Sequence, residues 1–292
     1  MEEHPLKMRS AYAGSCFVLT TKHAKSIAVA SPFWDKLKAS MVEYPMDTDL
    51  LGTFTGEVER AGNALECARL KCDWSLKRLG EKVEFALASE GSFGPHPFIP
   101  FVPCDHEILY FIDRRHGFHL HMSHLSPKTN YCMKAVDSLE DLQTFAGAIQ
   151  FPSHALILRP NDRDTKAPLF KGVDSQAALE EAFKECLKHS SEGKVWVETD
   201  MRAMFNPSRM EVIGELAAKM ADRLATHCPK CSFPGWGKIR VEKGLKCSSC
   251  RSETDLVKLE IFGCVKCDFE TIHGRADRLT QAEPMHCGYC NP

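Results

Sequence analysis

Eight of the fourteen cysteines fall in the last 65 residues, as four pairs of identical spacing: Cys228 and Cys231, Cys247 and Cys250, Cys264 and Cys267, Cys287 and Cys290. A Cys-x-x-Cys turn sets two thiolates on one side of a tight knuckle, and two knuckles complete the tetrahedron that zinc prefers. A disulfide framework has no reason to repeat one spacing. The segment is too short to stabilise itself by a core alone, so metal supplies its folding energy. With no ligand missing, the expectation is two structural zinc ions held by all eight cysteines. Fifteen residues separate the first two pairs and nineteen the last two. Sequential pairing gives two tandem zinc ribbons, while an interleaved pairing uses the same ligands, and spacing does not choose between them.

The preceding residues have a different character. Residues 1–15 open acidic and lack the cationic-then-apolar pattern of a signal peptide, so they read as a short tail. From 16 to 226, apolar runs alternate with helical periodicity, which predicts an α/β domain built on a mixed sheet with flanking helices. Residues 227–292 form the zinc part. Strands are expected at Cys16–Thr20, Val42–Met46, Val83–Ala88, Glu107–Asp113, Phe118–Met122, Ala155–Leu158 and Lys194–Glu198. Helices are expected to about Ala39 with a break near Pro32, from Val58 to Leu79 with Thr55 as N-cap, from Ser138, over Ala177–Lys188, and from Ser208. Glu57 and Glu59 would then sit in a first helical turn.

Chemistry concentrates between Asp47 and His96. Asp47, Asp49, Glu57 and Glu59 gather around Gly52 and Gly56 with hydroxyls at Thr48, Thr53 and Thr55, and a buried strand empties into Ser89-Glu90-Gly91-Ser92. In open α/β sheets, ligands sit beyond the carboxyl ends of strands. Thr20, Asp47, Glu90 and Asp200 all lie at such ends. Hydrolysis of a phosphorylated compound needs carboxylates to hold Mg²⁺ and cations on the phosphates. Asp49, Glu57, Glu59 and Glu90, with Lys25, are the candidate catalytic groups. Thr20, Lys71, Ser92, His96, Arg202 and Arg209 are the candidate substrate contacts. His119 and His121 share a strand face, but no carboxylate is interleaved to complete a metal site.

The segments DTDLLGTFTGEVER, ASEGSFGPHP and TDMRAMFNPSRM, with the terminal Cys-x-x-Cys pairs, resemble a mostly bacterial family known only as a domain of unknown function. A more distant resemblance is to the inosine/xanthosine triphosphate pyrophosphatases. It is carried by Thr20 to Lys25 after a first strand, by Thr53-Phe54, Glu57, Asn63-Ala64 and Lys71, by Glu90-Gly91 followed by the hairpin of Glu107 to Met122, and by Ser208-Arg209. It is one of architecture and order, and it implies an ITPase-like fold and Mg²⁺-dependent pyrophosphatase activity on nucleoside triphosphates or related phosphorylated small molecules.

A formal charge of −2 argues against a generally polyanion-binding surface. Trp236, Phe233 and nearby lysines leave a second reading open, a non-catalytic adaptor whose ribbons bind nucleic acid or protein. No apolar run approaches the roughly eighteen residues of a membrane span. The expected setting is cytoplasmic.

Overall fold

A computed structural model describes residues 10–53, 55–97, 99–161 and 168–292. Phe54 and residues 162–167 lie outside the described residues, as do residues 1–9 of the expected tail. By its internal contacts the chain divides into two units, Tyr12–Met220 and one built on Ala221–Pro292. Among the described residues no helix is long and apolar enough to cross a membrane.

The first unit is α/β and contains the expected mixed sheet with flanking helices, together with a second, antiparallel sheet. The larger contains β1 (Cys16–Thr20), β2 (Ser40–Tyr44), β3 (Phe85–Pro95), β4 (Pro103–Asp113) and β5 (Phe118–Ser126) in the order β2-β1-β3-β4-β5. β1 runs parallel to β2 and β3, and β3, β4 and β5 are antiparallel. α1 (Ser26–Leu37) connects β1 to β2, and α2 (Ala64–Leu79) connects β2 to β3 on the far side of β1. Alternation along the strands sorts their side chains to two faces. On one face Phe17, Phe85 and Phe111 stack beneath Phe33 of α1, with the Phe17 ring 5.2 Å from that of Phe33. On the other, Val18, Ala86, Ala88, Ile108 and Tyr110 pack on Ala68, Cys72 and Leu76 of α2.

The second sheet is antiparallel, β6-β9-β7-β8, from β6 (Met133–Val136), β7 (Leu156–Arg159), β8 (Phe170–Val173) and β9 (Val195–Thr199). α3 (Leu139–Ala148) and α4 (Gln176–His189) cover its apolar core. α5 (Pro207–Ala225) follows.

Several local expectations are corrected. The tail is shorter than 1–15: Tyr12 is fully buried among Phe17, Phe85 and Phe111, and its hydroxyl donates to Asp113 Oδ2 at 3.0 Å. α1 runs through Pro32 without a break. α2 begins six residues late, at Ala64, because Asn63 and Glu66 form a reciprocal capping box that Thr55 cannot offer. Thr55 instead donates to Glu57 Oε2 at 2.8 Å, and neither Glu57 nor Glu59 lies on a helix. Asn206, not Ser208, caps α5 by accepting from Arg209 N at 3.0 Å, with Pro207 at the first helical position. The polar run from Ser89 to Pro95 is not a loop but the outer half of β3, paired with β4 along its length.

Candidate functional site

The order β2-β1-β3 reverses direction at β1. α1 leaves on one face and α2 returns on the other, which opens a crevice beyond the carboxyl end of β1 beside the unpartnered edge of outer β3. A small cleft, with a cavity volume of about 50 Å³, lies there. It is lined by Lys25, Arg60, Lys71, Lys171, Arg202 and Arg209, by carboxylates Asp49 and Glu90, and by His23, Thr48, Gly52, Thr53, Thr55 and Ile157. Six cations and two carboxylates line it, and Glu107, Asp200 and Glu57 pair with Arg209, Arg202 and Lys171 respectively.

Each cation is placed by a different element. Lys25 immediately precedes α1 and is buried, its Nζ donating to Ser89 Oγ at 2.8 Å. Among the described residues it pairs with no carboxylate. Burial, reinforced by repulsion from Arg209 and Lys71, pushes its ammonium down to about 7. Lys71, in α2, is paired with Glu90 on β3. Burial alone would raise Glu90, but Lys71, Lys25 and Arg60 hold it below the ordinary carboxylate range. Arg209, in the first turn of α5, donates from Nε to Glu107 Oε1 at 2.6 Å and from Nη1 to the Met201 carbonyl at 2.5 Å.

That pair exists because residue 91 is glycine. Gly91 stands opposite Glu107 in the β3/β4 register, and a Cβ there would lie 2.5 Å from Glu107 Oε1 and 2.4 Å from Arg209 Nη2. Two residues along the same strand face, Asp105 is fully buried. Burial and the Glu107 carboxylate push its carboxyl up to about 8, so it keeps its proton at neutral pH.

The second sheet supplies the opposite wall. Arg202 is fastened to Asp200 through Nε at 3.0 Å and Nη2 at 2.6 Å, and Lys171 of β8 pairs with Glu57. Arg159 of β7 pairs with Glu198 and donates to the Thr55 carbonyl at 3.3 Å, tying the loop to that sheet. His23 has a side chain 10% exposed; among the described residues its Nε2 has no hydrogen-bond partner, and it lies 3.8 Å from Asp49 Oδ1. Burial, then Lys25, Arg209, Lys71 and Arg202, lower it to about 2, so the imidazole is neutral.

Of the residues singled out from the sequence, Lys25, Asp49, Lys71, Glu90, Arg202 and Arg209 are brought together. Glu57 is not among the lining residues and touches the site through Lys171 and Thr55. Thr20, Glu59, Ser92 and His96 are not among the lining residues: Ser92 accepts from Arg60 Nη1 at 2.8 Å, and His96 sits in the β3–β4 turn, its N–H donating to the Val102 carbonyl. Sequence reasoning missed His23, Arg60, Lys171, Asp105 and Glu107. The Asp-x-Glu alternation within an apolar strand was a legible signal for the last two. His119 and His121 flank Tyr110 in stacked geometry.

In the second unit, β10 (Gly237–Lys243), β11 (Val257–Gly263) and β12 (Glu270–Gly274) form an antiparallel sheet. Gly237 pairs with Gly263, so the knuckle before β10 meets the knuckle after β11. Cys228, Cys231, Cys264 and Cys267 therefore make one cluster, and Cys247, Cys250, Cys287 and Cys290 the other. The pairing is interleaved, not that of tandem ribbons. In each cluster the sulfurs lie within 4.8 Å of one another, with closest pairs of 3.6 Å (Cys231 to Cys264) and 3.5 Å (Cys250 to Cys287). Four thiolates about 2.3 Å from a zinc ion stand about 3.8 Å apart, so both clusters fit the metal. Trp236 is buried against Phe269, and Lys266 Nζ lies over the half-buried ring of Phe233.

Residues 71–292 match the model of a family described as a domain of unknown function (DUF6671), and the chain belongs to that family. The matched span takes in Lys71, Glu90, Arg202, Arg209 and all eight paired cysteines, with Lys25 and Asp49 before it. No functionally curated protein matches the sequence.

Proposed function

For this member of the family we propose hydrolysis of nucleoside triphosphates or related phosphorylated small molecules, in a protein whose C-terminal unit is stapled by two structural zinc ions. The observation that carries this reading is the convergence of six cations from six separate segments on one cleft at the switch point of the sheet. Phosphate oxygens are the ligand such a set recognises, and Thr48 and Thr53 add hydroxyl donors.

Asp49 and Glu90 are the lining carboxylates that would hold Mg²⁺. Each already faces a lysine, Lys22 and Lys71 respectively. Phosphate oxygens would therefore supply much of the coordination, as Mg²⁺ commonly accepts. When bound, the ion neutralises charge that develops on the phosphoryl oxygens. Lys25, Lys71 and Arg209 hold the phosphoryl group in a water-poor pocket, where charge interactions count for more than in water. His23 offers a neutral imidazole to an attacking water.

The distant resemblance to inosine/xanthosine triphosphate pyrophosphatases agrees with this reading in element order and in Lys25, Lys71, Glu90 and Arg209. The adaptor reading draws less support. Lys238, Arg240, Lys243, Lys246 and Arg275 of the second unit are each paired with an acidic neighbour. The test is a colorimetric turnover screen over standard and deaminated nucleoside triphosphates with and without Mg²⁺. Loss of activity in Glu90→Gln at unchanged zinc content supports the reading, and absence of turnover across the panel opposes it.

A further inference from the structure

The cations of the cleft separate by depth. Lys25, Lys71 and Arg209 are 4%, 7% and 2% exposed. Lys71 pairs with Glu90 and Arg209 with Glu107, whereas Lys25 pairs with no carboxylate among the described residues. A buried amine with no carboxylate beside it holds its proton best when an anion sits against it, which makes this the place that an anion completes. Lys171 and Arg202 form the rim, with side chains 24% and 21% exposed. His23 lines the same cleft and feels Lys25, Arg209 and Lys71 of the one group and Arg202 of the other. Among the described residues its buried Nε2 lacks a hydrogen-bond partner, an independent sign that a ligand atom is expected there.

Resting on the phosphate reading above, we propose that the cleft takes a diphosphate end-on. The terminal phosphoryl group enters the pocket of Lys25, Lys71 and Arg209, its neighbour lies at Arg202 and Lys171, and His23 Nε2 faces the join. A pyrophosphate-ended ester would then enter tail first with its organic part outward, and inorganic pyrophosphate is the minimal ligand. Two adjacent anionic groups use both charge groups at once, whereas orthophosphate engages one.

Calorimetric titration of the full-length, zinc-loaded protein at fixed ionic strength tests this, with orthophosphate, pyrophosphate and a sugar bisphosphate of widely separated phosphates as probes. Charge-assisted hydrogen bonds to a second phosphoryl group predict pyrophosphate binding at least about tenfold tighter than orthophosphate. Lys25→Met is expected to weaken both, while Lys171→Met weakens pyrophosphate alone. Arg202→Gln serves as the second rim variant and is expected to act likewise. Equal affinity for the two anions, a rim variant that weakens orthophosphate as much as pyrophosphate, or tighter binding of the bisphosphate would overturn the end-on arrangement and leave the phosphate cleft standing. If the folded protein binds none of the three, the phosphate reading falls with it.

Discussion

Gly91 and Arg209 are separated by 118 positions in the chain and by less than a side chain in space. The guanidinium of Arg209 occupies the volume that a Cβ at residue 91 would need, 2.4 Å from its Nη2, and from there it reaches Glu107 on the neighbouring strand. A buried ion pair is tolerated only while its geometry is satisfied.

Gly91→Ala is therefore expected to destabilise the protein by about 3 kcal/mol, the scale of breaking a buried pair. Urea denaturation with an unchanged m-value is the check. Arg209→Met, which strands the Glu107 carboxylate, should cost as much, and adding Glu107→Gln should restore part of the loss. A Gly91→Ala variant as stable as wild type would show that the pair relaxes freely.

The interleaved cysteine pairing predicts a specific pattern of metal loss. Cys228→Ser with Cys264→Ser strikes one cluster twice and should leave one zinc ion per chain; Cys228→Ser with Cys247→Ser strikes both and should leave little or none. Sequential ribbons predict the reverse. Metal content by elemental analysis decides, and chelation of both ions should unfold residues 221–292, because the site energy is folding energy.

Two buried groups give opposite pH dependences. Lys25 is lowered from 10.5 to about 7, so between those values the unfolded chain binds more protons and stability rises with pH. Asp105 is raised from 3.8 to about 8, so over that interval the folded chain binds more protons and stability falls as pH rises. Lys25→Met should thus stabilise most below pH 7 and progressively less toward pH 10, and Asp105→Asn should remove a loss of stability between about pH 4 and 8. Denaturation midpoints at stepped pH read both. A stabilisation by Lys25→Met that grows with pH would contradict the assignment.

What the sequence discloses follows the range of the interactions involved. Equal cysteine spacings announce the candidate metal ligands, since a knuckle is local, but their partners depend on how β10 and β11 pair, which is a tertiary fact. Strand ends and turn residues around Asp49 and Glu90 locate the cleft for the same reason. Lys171 is recognisable as part of its wall only once a second sheet is known, and β6 and β8, the short edge strands of that sheet, carry little apolar alternation. The helix start at Ala64 was misplaced because apolar spacing continues upstream of Asn63, where the capping box overrides it. Asp105 and Glu107 escaped notice because carboxylates on an apolar strand face read as exposed until Arg209 and Lys25 are placed against them.

The central claim is that this cleft cleaves a phosphoanhydride or phosphate ester. ³¹P NMR of standard and deaminated nucleoside triphosphates incubated with the zinc-loaded protein and Mg²⁺ tests it most directly, because it reports both turnover and the bond that breaks. The account predicts phosphate or pyrophosphate resonances that grow with wild type and are abolished in Lys25→Met and Glu90→Gln of unchanged fold and zinc content. Unchanged substrate resonances with wild type, or equal turnover in all three proteins, would contradict it.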